Sequence, residues 1–198
     1  MFSWIIEKKA KIISREGWLF RVENSFPKAE LSLGQSIAHD GACMTLTRIE
    51  DDFYEFFMME ESLRVTHFSA KKPGDTLNVE RCITPNMRLD GHIVTGHIDT
   101  VWKVIQSEKK QDGSMLLSLS FDPRYVPLVI EKGSIALSGV SLTVVTCTDD
   151  ALTVSLIPLT QEWTNLWNLE KWDEVNIEFD QMGKYIVKTL EKYLQSQK

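Results

Sequence analysis

Apolar and polar residues alternate along most of this chain with a period of two. Leu152, Val154 and Leu156 are separated by Thr153 and Ser155, Val175, Ile177 and Phe179 by Asn176 and Glu178, and Leu117, Leu119 and Phe121 take every second position before Pro123. Such alternation marks half-buried strands. Glycines and paired aspartates, at Gly34, Gly113, Asp51 with Asp52 and Asp149 with Asp150, predict tight turns between them. The period changes once. After Asp180 the apolar residues Met182, Ile186, Leu190 and Leu194 recur every four positions, with Val187 and Tyr193 widening the stripe, which predicts a C-terminal helix.

The strand pattern is written twice. Ser36 to Thr45 reads SIAHDGACMT and Ser134 to Thr143 reads SIALSGVSLT, an ungapped offset of 98 that also places Thr66 on Thr164, Asp75 on Asp173, Asn78 on Asn176 and Glu80 on Glu178. A solenoid repeats every 20 to 50 residues or so, so a period this long indicates two copies of one small domain. Each copy runs through an opening segment (Phe2 to Ile6, Ile98 to Ile105), a strand (Trp18 to Val22, Met115 to Phe121) and a proline-led turn (Pro27, Pro123). The SIA…G…T stretch follows, then the aspartate turn, another strand, a helical turn started by Ser62 or Thr160, and a last strand ending in N-x-E. Short, evenly spaced strands in so small a unit predict a barrel. The expected fold is mainly β: two tandem, similar Greek-key β-barrels, residues 1–91 and 92–181, plus a C-terminal α-helix, 182–198. Belonging to neither copy, that helix is expected to be an oligomerisation element.

With 43% hydrophobic and 25% charged residues, the chain has the composition of a soluble globular protein. No run approaches the roughly 18 apolar residues of a membrane span, and the start MFSWIIEKKAK lacks a signal-peptide core, so a cytoplasmic location and no membrane partner are expected. A net charge of −6 with interspersed signs offers no basic face, which argues against nucleic acid. Cys43, Cys82 and Cys147 are odd in number and lack a C-x-x-C pair, so reduced thiols are expected rather than a disulfide frame or zinc site.

Few residues stand out as chemistry. His92 and His97 sit in GHIVTGHID; five apart in an extended strand they would face opposite ways, and no third ligand stands at metal spacing, so no metal is expected. Gly91 and Gly96 just before them suggest close backbone approach to a strand or a ligand. Ser141 and Thr143 share a strand face, and their counterparts are Cys43 and Thr45. Barrel filling explains them as well as binding does, but the Cys43 to Ser141 change in a copied frame favours a pocket that kept binding in one half and gained chemistry in the other. No Ser-His-Asp order, phosphate loop or dinucleotide fingerprint occurs. The six tryptophans scatter through the chain and suit core or interface as well as a ring platform.

Seven segments in order, MFSWII at the start, SIAHDGACMTLT at 36–47, NVER at 78–81, GHIVTGHID at 91–99, KGSIALSGVSLTV at 132–144, LIPLT at 156–160 and VNIEFD at 175–180, resemble the riboflavin synthases over nearly the whole chain. That resemblance implies dismutation of two molecules of 6,7-dimethyl-8-ribityllumazine into riboflavin and a ribitylamino-pyrimidinedione by four-carbon transfer, with no metal and no organic cofactor. It implies a homotrimer held by C-terminal helices, with active sites between subunits, and a lumazine synthase capsid as a candidate partner. The implied catalytic group is His97, for proton transfer, and Ser141, as nucleophile or holder of a water, together with Thr143, Phe2 and Asp180. The implied substrate contacts are Trp4, Ile5 and Ile6; Cys43, Met44 and Thr45; Phe57, Met58, Met59, Glu60, Glu61 and Ser62 in one half. In the other they are Gly96, Ile98, Lys132, Leu142, Ser155, Leu156, Ile157, Pro158, Leu159 and Thr160.

Departures from the family pattern are Ser3 and Trp4 where threonine and glycine are usual, Asp40 and Ser138 before the turn glycines, and Trp163 and Asn165 around Thr164. None removes His97, Ser141, Thr143 or the IPLT segment, so activity is expected. The alternative is a non-catalytic lumazine or flavin carrier of the same fold. Such carriers tend to lose the histidine of the GH-x-x-x-GH motif and the threonine of SLT, both present here.

Overall fold

The computed structural model describes residues 1–197, and its strands close into two six-stranded antiparallel barrels. The first comprises β1 (Lys8–Glu16), β2 (Leu19–Glu23), β3 (Ser36–His39), β4 (Ala42–Ile49), β5 (Phe53–Phe57) and β6 (Thr76–Arg81), closed in the order β1-β2-β5-β4-β3-β6. The second comprises β7 (Thr100–Lys109), β8 (Met115–Ser120), β9 (Ser134–Leu137), β10 (Val140–Cys147), β11 (Ala151–Leu156) and β12 (Glu174–Phe179), closed in the equivalent order. In each, three hairpin-linked strands are followed by one that returns beside the first of them, which is Greek-key connectivity.

Alternation decides which side chains fill the barrels. On β8, Met115, Leu117 and Leu119 are fully buried while Leu116, Ser118 and Ser120 are half-buried outside. Phe20, Val22, Leu46, Tyr54, Phe56 and Val79 close the first core in the same manner. Each such side chain contributes roughly 1.5–3 kcal/mol by leaving water. Both copies carry a bulge at the same place, between Leu46 and Arg48 and between Val144 and Thr146. Such a bulge bends the strand and tightens its twist.

The barrels meet across a local two-fold that relates residues 98 apart. Gly41 and Gly139 touch there backbone to backbone: a Cβ on Gly41 would stand 2.8 Å from the nitrogen of Gly139. The Asn78 amide donates to the carbonyl of Ser138 at 2.9 Å, and the Asn176 amide to that of Asp40, also at 2.9 Å. Their carbonyl oxygens accept from the backbone N–H of Asn165 and His67 respectively. One half of this joint is charged. Asp40, wholly buried, lies 3.0 Å from Nε2 of His67 and 3.3 Å from Lys71, where the other copy has Ser138, Asn165 and Leu169. Burial pushes the Asp40 carboxyl up, but Lys71 and His67 outweigh it and hold it at about 2.

The short helices α1 (Glu60–Val65) and α2 (Pro158–Trp163) begin two residues earlier than the predicted Ser62 and Thr160. Pro158 occupies the first turn, where its fixed φ and missing N–H cost nothing. The opening residues also differ from a simple strand: Phe2 makes one bridge, to Val94, and the ladder starts only at Lys8. Helix α3 (Gln181–Ser196) is capped by the Asp180 carboxylate on the Met182 N–H at 2.9 Å. Its stripe of Met182, Ile186, Leu190 and Leu194 is more than half exposed, so the described residues leave it uncovered. Among those residues no helix is long and apolar enough to cross a membrane.

Candidate active site

Two lead-in segments, not the barrels alone, build the site. Ser3 and Trp4 bind the Glu80 carboxylate through Ser3 N (2.8 Å), Ser3 Oγ (2.8 Å) and Trp4 N (3.0 Å). Thr95 and Gly96 bind Glu178 through the same three groups, at 2.8, 2.7 and 3.0 Å. With their N–H groups taken by a side chain, these residues cannot extend a ladder, which is why the strands begin later. Burial drives the Glu80 carboxyl up to about 7 against the pull of Ser3 and Trp4.

Each segment then crosses to the other barrel. The Ser141 N–H donates to the Trp4 carbonyl at 3.0 Å, and the Cys43 N–H donates to that of Gly96 at 2.9 Å. Trp4 and Gly96 are thus counterparts, and both are left-handed, with φ of 59° and 84°. Glycine adopts that region freely, whereas a residue with a Cβ is strained there by about 1 kcal/mol or more. A Cβ on Gly96 would fall 2.5 Å from that of Cys43, so glycine is required in that half. Trp4 has room instead, and its buried indole stacks on Phe2 at 5.2 Å with planes 2° apart.

Ser141, on β10, has its Oγ 2.8 Å from Nδ1 of His92. Burial lowers the His92 pKa below its usual value, and the nearby Asp180 carboxylate opposes that shift, so a neutral ring faces the hydroxyl. The pairing corrects the expectation that set His97 beside Ser141. His97 is exposed and makes no hydrogen bond among the described residues. The segment holding both histidines is irregular, so the strand geometry that would separate their faces does not apply. His92 stands out in the sequence only as one of the GHIVTGHID pair, because its 2.8 Å contact with Ser141 joins residues 49 apart.

Outside the barrels lie two matching rows of side chains. Ser36 pairs Thr45, and Leu46 pairs Phe56, so Thr45 and Phe57 are the next neighbours across β4 and β5. In the second barrel Ser134 pairs Thr143, and Val144 pairs Val154, so Thr143 neighbours Ser155. Thr45, Phe57 and Thr143 are exposed and Ser155 half-buried. Each row thus offers hydroxyls on an open, twisted surface. Beside them stand the starts of α1, with exposed Met59, Glu60 and Glu61 and half-buried Ser62, and of α2, with exposed Ile157, Pro158 and Leu159 and half-buried Thr160. Lys132, exposed and left-handed at φ 64°, precedes the second row.

Other expected contacts point elsewhere. Met44, Met58, Leu142 and Leu156 fill the barrels, Ile6 packs in the second core, and Phe2 and Trp4 lie between barrels. Strand alternation puts Met44 and Leu142 on the opposite face from Thr45 and Thr143, so their side chains shape the rows from beneath. Ile5 is exposed, and Ile98 packs against the first core. Cys43 is half-buried; burial raises its thiol pKa, which makes it a poor nucleophile. Asp180 serves as the α3 cap as well as the acidic neighbour of His92. No cluster of three His, Cys, Asp or Glu among the described residues could hold a metal ion. A cleft of about 650 Å³ lies at the charged side of the barrel joint, lined by His67, Lys71 and Trp172, away from both rows.

Comparison with known proteins matches both halves. The lumazine binding domain model fits residues 4–82 and again 95–180. The chain is similar to a riboflavin synthase of Schizosaccharomyces pombe, 35% identical over 90% of this chain and 86% of that one. It is also similar to a riboflavin synthase of Escherichia coli, 34% identical over 98% and 93%. Among solved structures, LumP complexed with riboflavin superposes with a TM-score of 0.80 over 90% of this chain and 99% of that one, at 23% identity, which speaks to fold.

Proposed function

The chain belongs to the riboflavin synthase family, with the lumazine-binding domain carried twice, and we propose that it converts two molecules of 6,7-dimethyl-8-ribityllumazine into riboflavin and 5-amino-6-(D-ribitylamino)uracil. The carrying observation is the pair of matching hydroxyl rows of which only one is joined to a Ser141–His92 hydrogen bond. Two like substrates need two like pockets, and an exchange between them needs one pocket to differ.

The roles follow from chemistry. The C7 methyl of the lumazine is acidic because its carbanion spreads into the ring, so the enzyme has to position a base and bind the anion. As the serine oxygen adds at C7 of the donor, neutral His92 takes the serine proton; when a water held by Ser141 adds instead, the water's proton passes to the hydroxyl as the hydroxyl gives its own to His92. Holding two rings face to face supplies much of the rate as effective molarity. Exposed His97 has no work within its own chain and serves the proton transfer across a subunit boundary. The uncovered stripe of α3 supports a homotrimer that brings the two kinds of row together. A cytoplasmic location accompanies this reading.

The competing reading is a carrier that binds one ring and catalyses nothing, which the likeness to LumP makes concrete. Incubating the protein with the lumazine and following riboflavin absorbance separates the two. Turnover supports the synthase; tight binding without turnover overturns it.

A further inference from the structure

The two rows share Thr45 and Thr143 but differ at the neighbouring strand position. At the position where the second barrel has Ser155, the first has Phe57, half exposed on the outer surface beside Thr45. Phe57 is not alone. Trp18, in the turn between β1 and β2, makes a T-shaped contact with that ring, with centroids 5.7 Å apart and planes 72° apart. The Met58 N–H donates to the Trp18 carbonyl at 2.9 Å, which ties the turn to the end of β5. Across the ladder Phe57 pairs with Leu19 and Ser155 with Leu116, and the second row contains no aromatic side chain. Solvent-facing aromatics that buttress one another leave a rigid apolar face open, at little further entropy cost on binding.

We infer that Phe57, held in place by Trp18, is a stacking wall that makes the first barrel's row prefer the larger, tricyclic flavin, while the Ser155 row binds the bicyclic ring by hydrogen bonds. The inference rests on the proposed synthase function. Stacking grows with the ring area covered, so a ring that gains four carbons gains contact at Phe57 and none at Ser155. Growth of the product is therefore favoured in the first barrel. Phe57 touches the ligand; Trp18 is a positioning residue that fixes the ring orientation of Phe57.

Calorimetric titration of the full chain with riboflavin tests this, with folding of every variant checked by thermal melting. Two classes of site are expected. Phe57→Ser should weaken the tighter class about tenfold, Trp18→Ala should weaken it by less, and Trp18→Phe should restore it. Ser155→Phe should tighten the weaker class. An unchanged tight class in both Phe57→Ser and Trp18→Ala, or failure of Trp18→Phe to rescue, overturns the wall. Lumazine turnover measured alongside keeps the readings apart. Turnover with no effect of Phe57→Ser on riboflavin sinks the wall alone, whereas Phe57-dependent binding without turnover sinks the synthase and leaves the wall standing.

Discussion

Gly41 and Gly139 face each other across the barrel joint so closely that a Cβ on Gly139 would stand 2.7 Å from the nitrogen of Gly41. Both are left-handed, at φ 82° and 77°. Either glycine replaced by alanine meets backbone that cannot give way and a conformation that alanine resists. We expect Gly139→Ala to cost more than about 2 kcal/mol. A fall in the urea midpoint at unchanged slope would show it; an unchanged midpoint would mean that the barrels can part without loss.

Ser141→Ala should lower kcat about a hundredfold or more while both rows still bind ring ligands, because only the group that adds to the substrate is lost. The pH profile carries a finer expectation. Burial lowers the His92 pKa, so the ring stays neutral below the usual histidine range and the acid limb of kcat/KM falls below pH 6.5. Asp180→Asn keeps the cap on α3 but removes the charge that favours protonated His92. That limb should then move to still lower pH; movement upward would contradict the assignment.

Acid should destabilise the first barrel through His39, buried against Tyr54 with Nε2 2.8 Å from its hydroxyl. Burial lowers its pKa from 6.5 to about 3, against the pull of Asp40. The unfolded chain therefore binds the proton that the folded chain refuses. The stability is fully present above pH 6.5 and is lost as pH falls towards 3, by about 3 kcal/mol at pH 4.5. Comparing urea midpoints at pH 7 and 4.5 in parent and His39→Gln isolates the effect, since glutamine does not titrate. Equal losses in both would remove His39 as the cause.

The joint offers its own control. Both ring nitrogens of His67 face acceptors, Asp40 at Nε2 and the Glu174 carbonyl at Nδ1, each at 3.0 Å. Removing that partner from a wholly buried carboxylate should cost on the order of 3 kcal/mol in His67→Ala. The double change Asp40→Ser with His67→Asn copies Ser138 and Asn165 of the other half and should recover most of the loss. Chemical denaturation of the three proteins decides it, and a double variant no better than His67→Ala would count against the pairing.

The barrels were legible because strand alternation and the 98-residue copy are local facts of sequence. The site was legible in kind but not in contact. Thr45 and Thr143 face outward as a two-residue spacing requires, yet Met44, Met58, Leu142 and Leu156, which the family resemblance implies beside them, have side chains that alternation turns inward. Glu80 and Glu178 showed themselves only as matched acids in N-x-E. That each anchors the segment leading into its own barrel needed the fold, because 77 residues separate Ser3 from Glu80. Trp18 was legible only as the start of the strand Trp18 to Val22, whereas it lies in the turn just before β2.

The crossed lead-in segments also set an order on how the molecule comes together. Trp4 precedes the first barrel in the chain, but the N–H its carbonyl accepts belongs to Ser141, and the bridge made by Phe2 waits for Val94. The first barrel can close while its own beginning is still loose. Only when the second barrel has been made does Trp4 find its place, so the segment that leads into the first barrel is among the last to be locked, and it locks onto the very strand that carries the site serine.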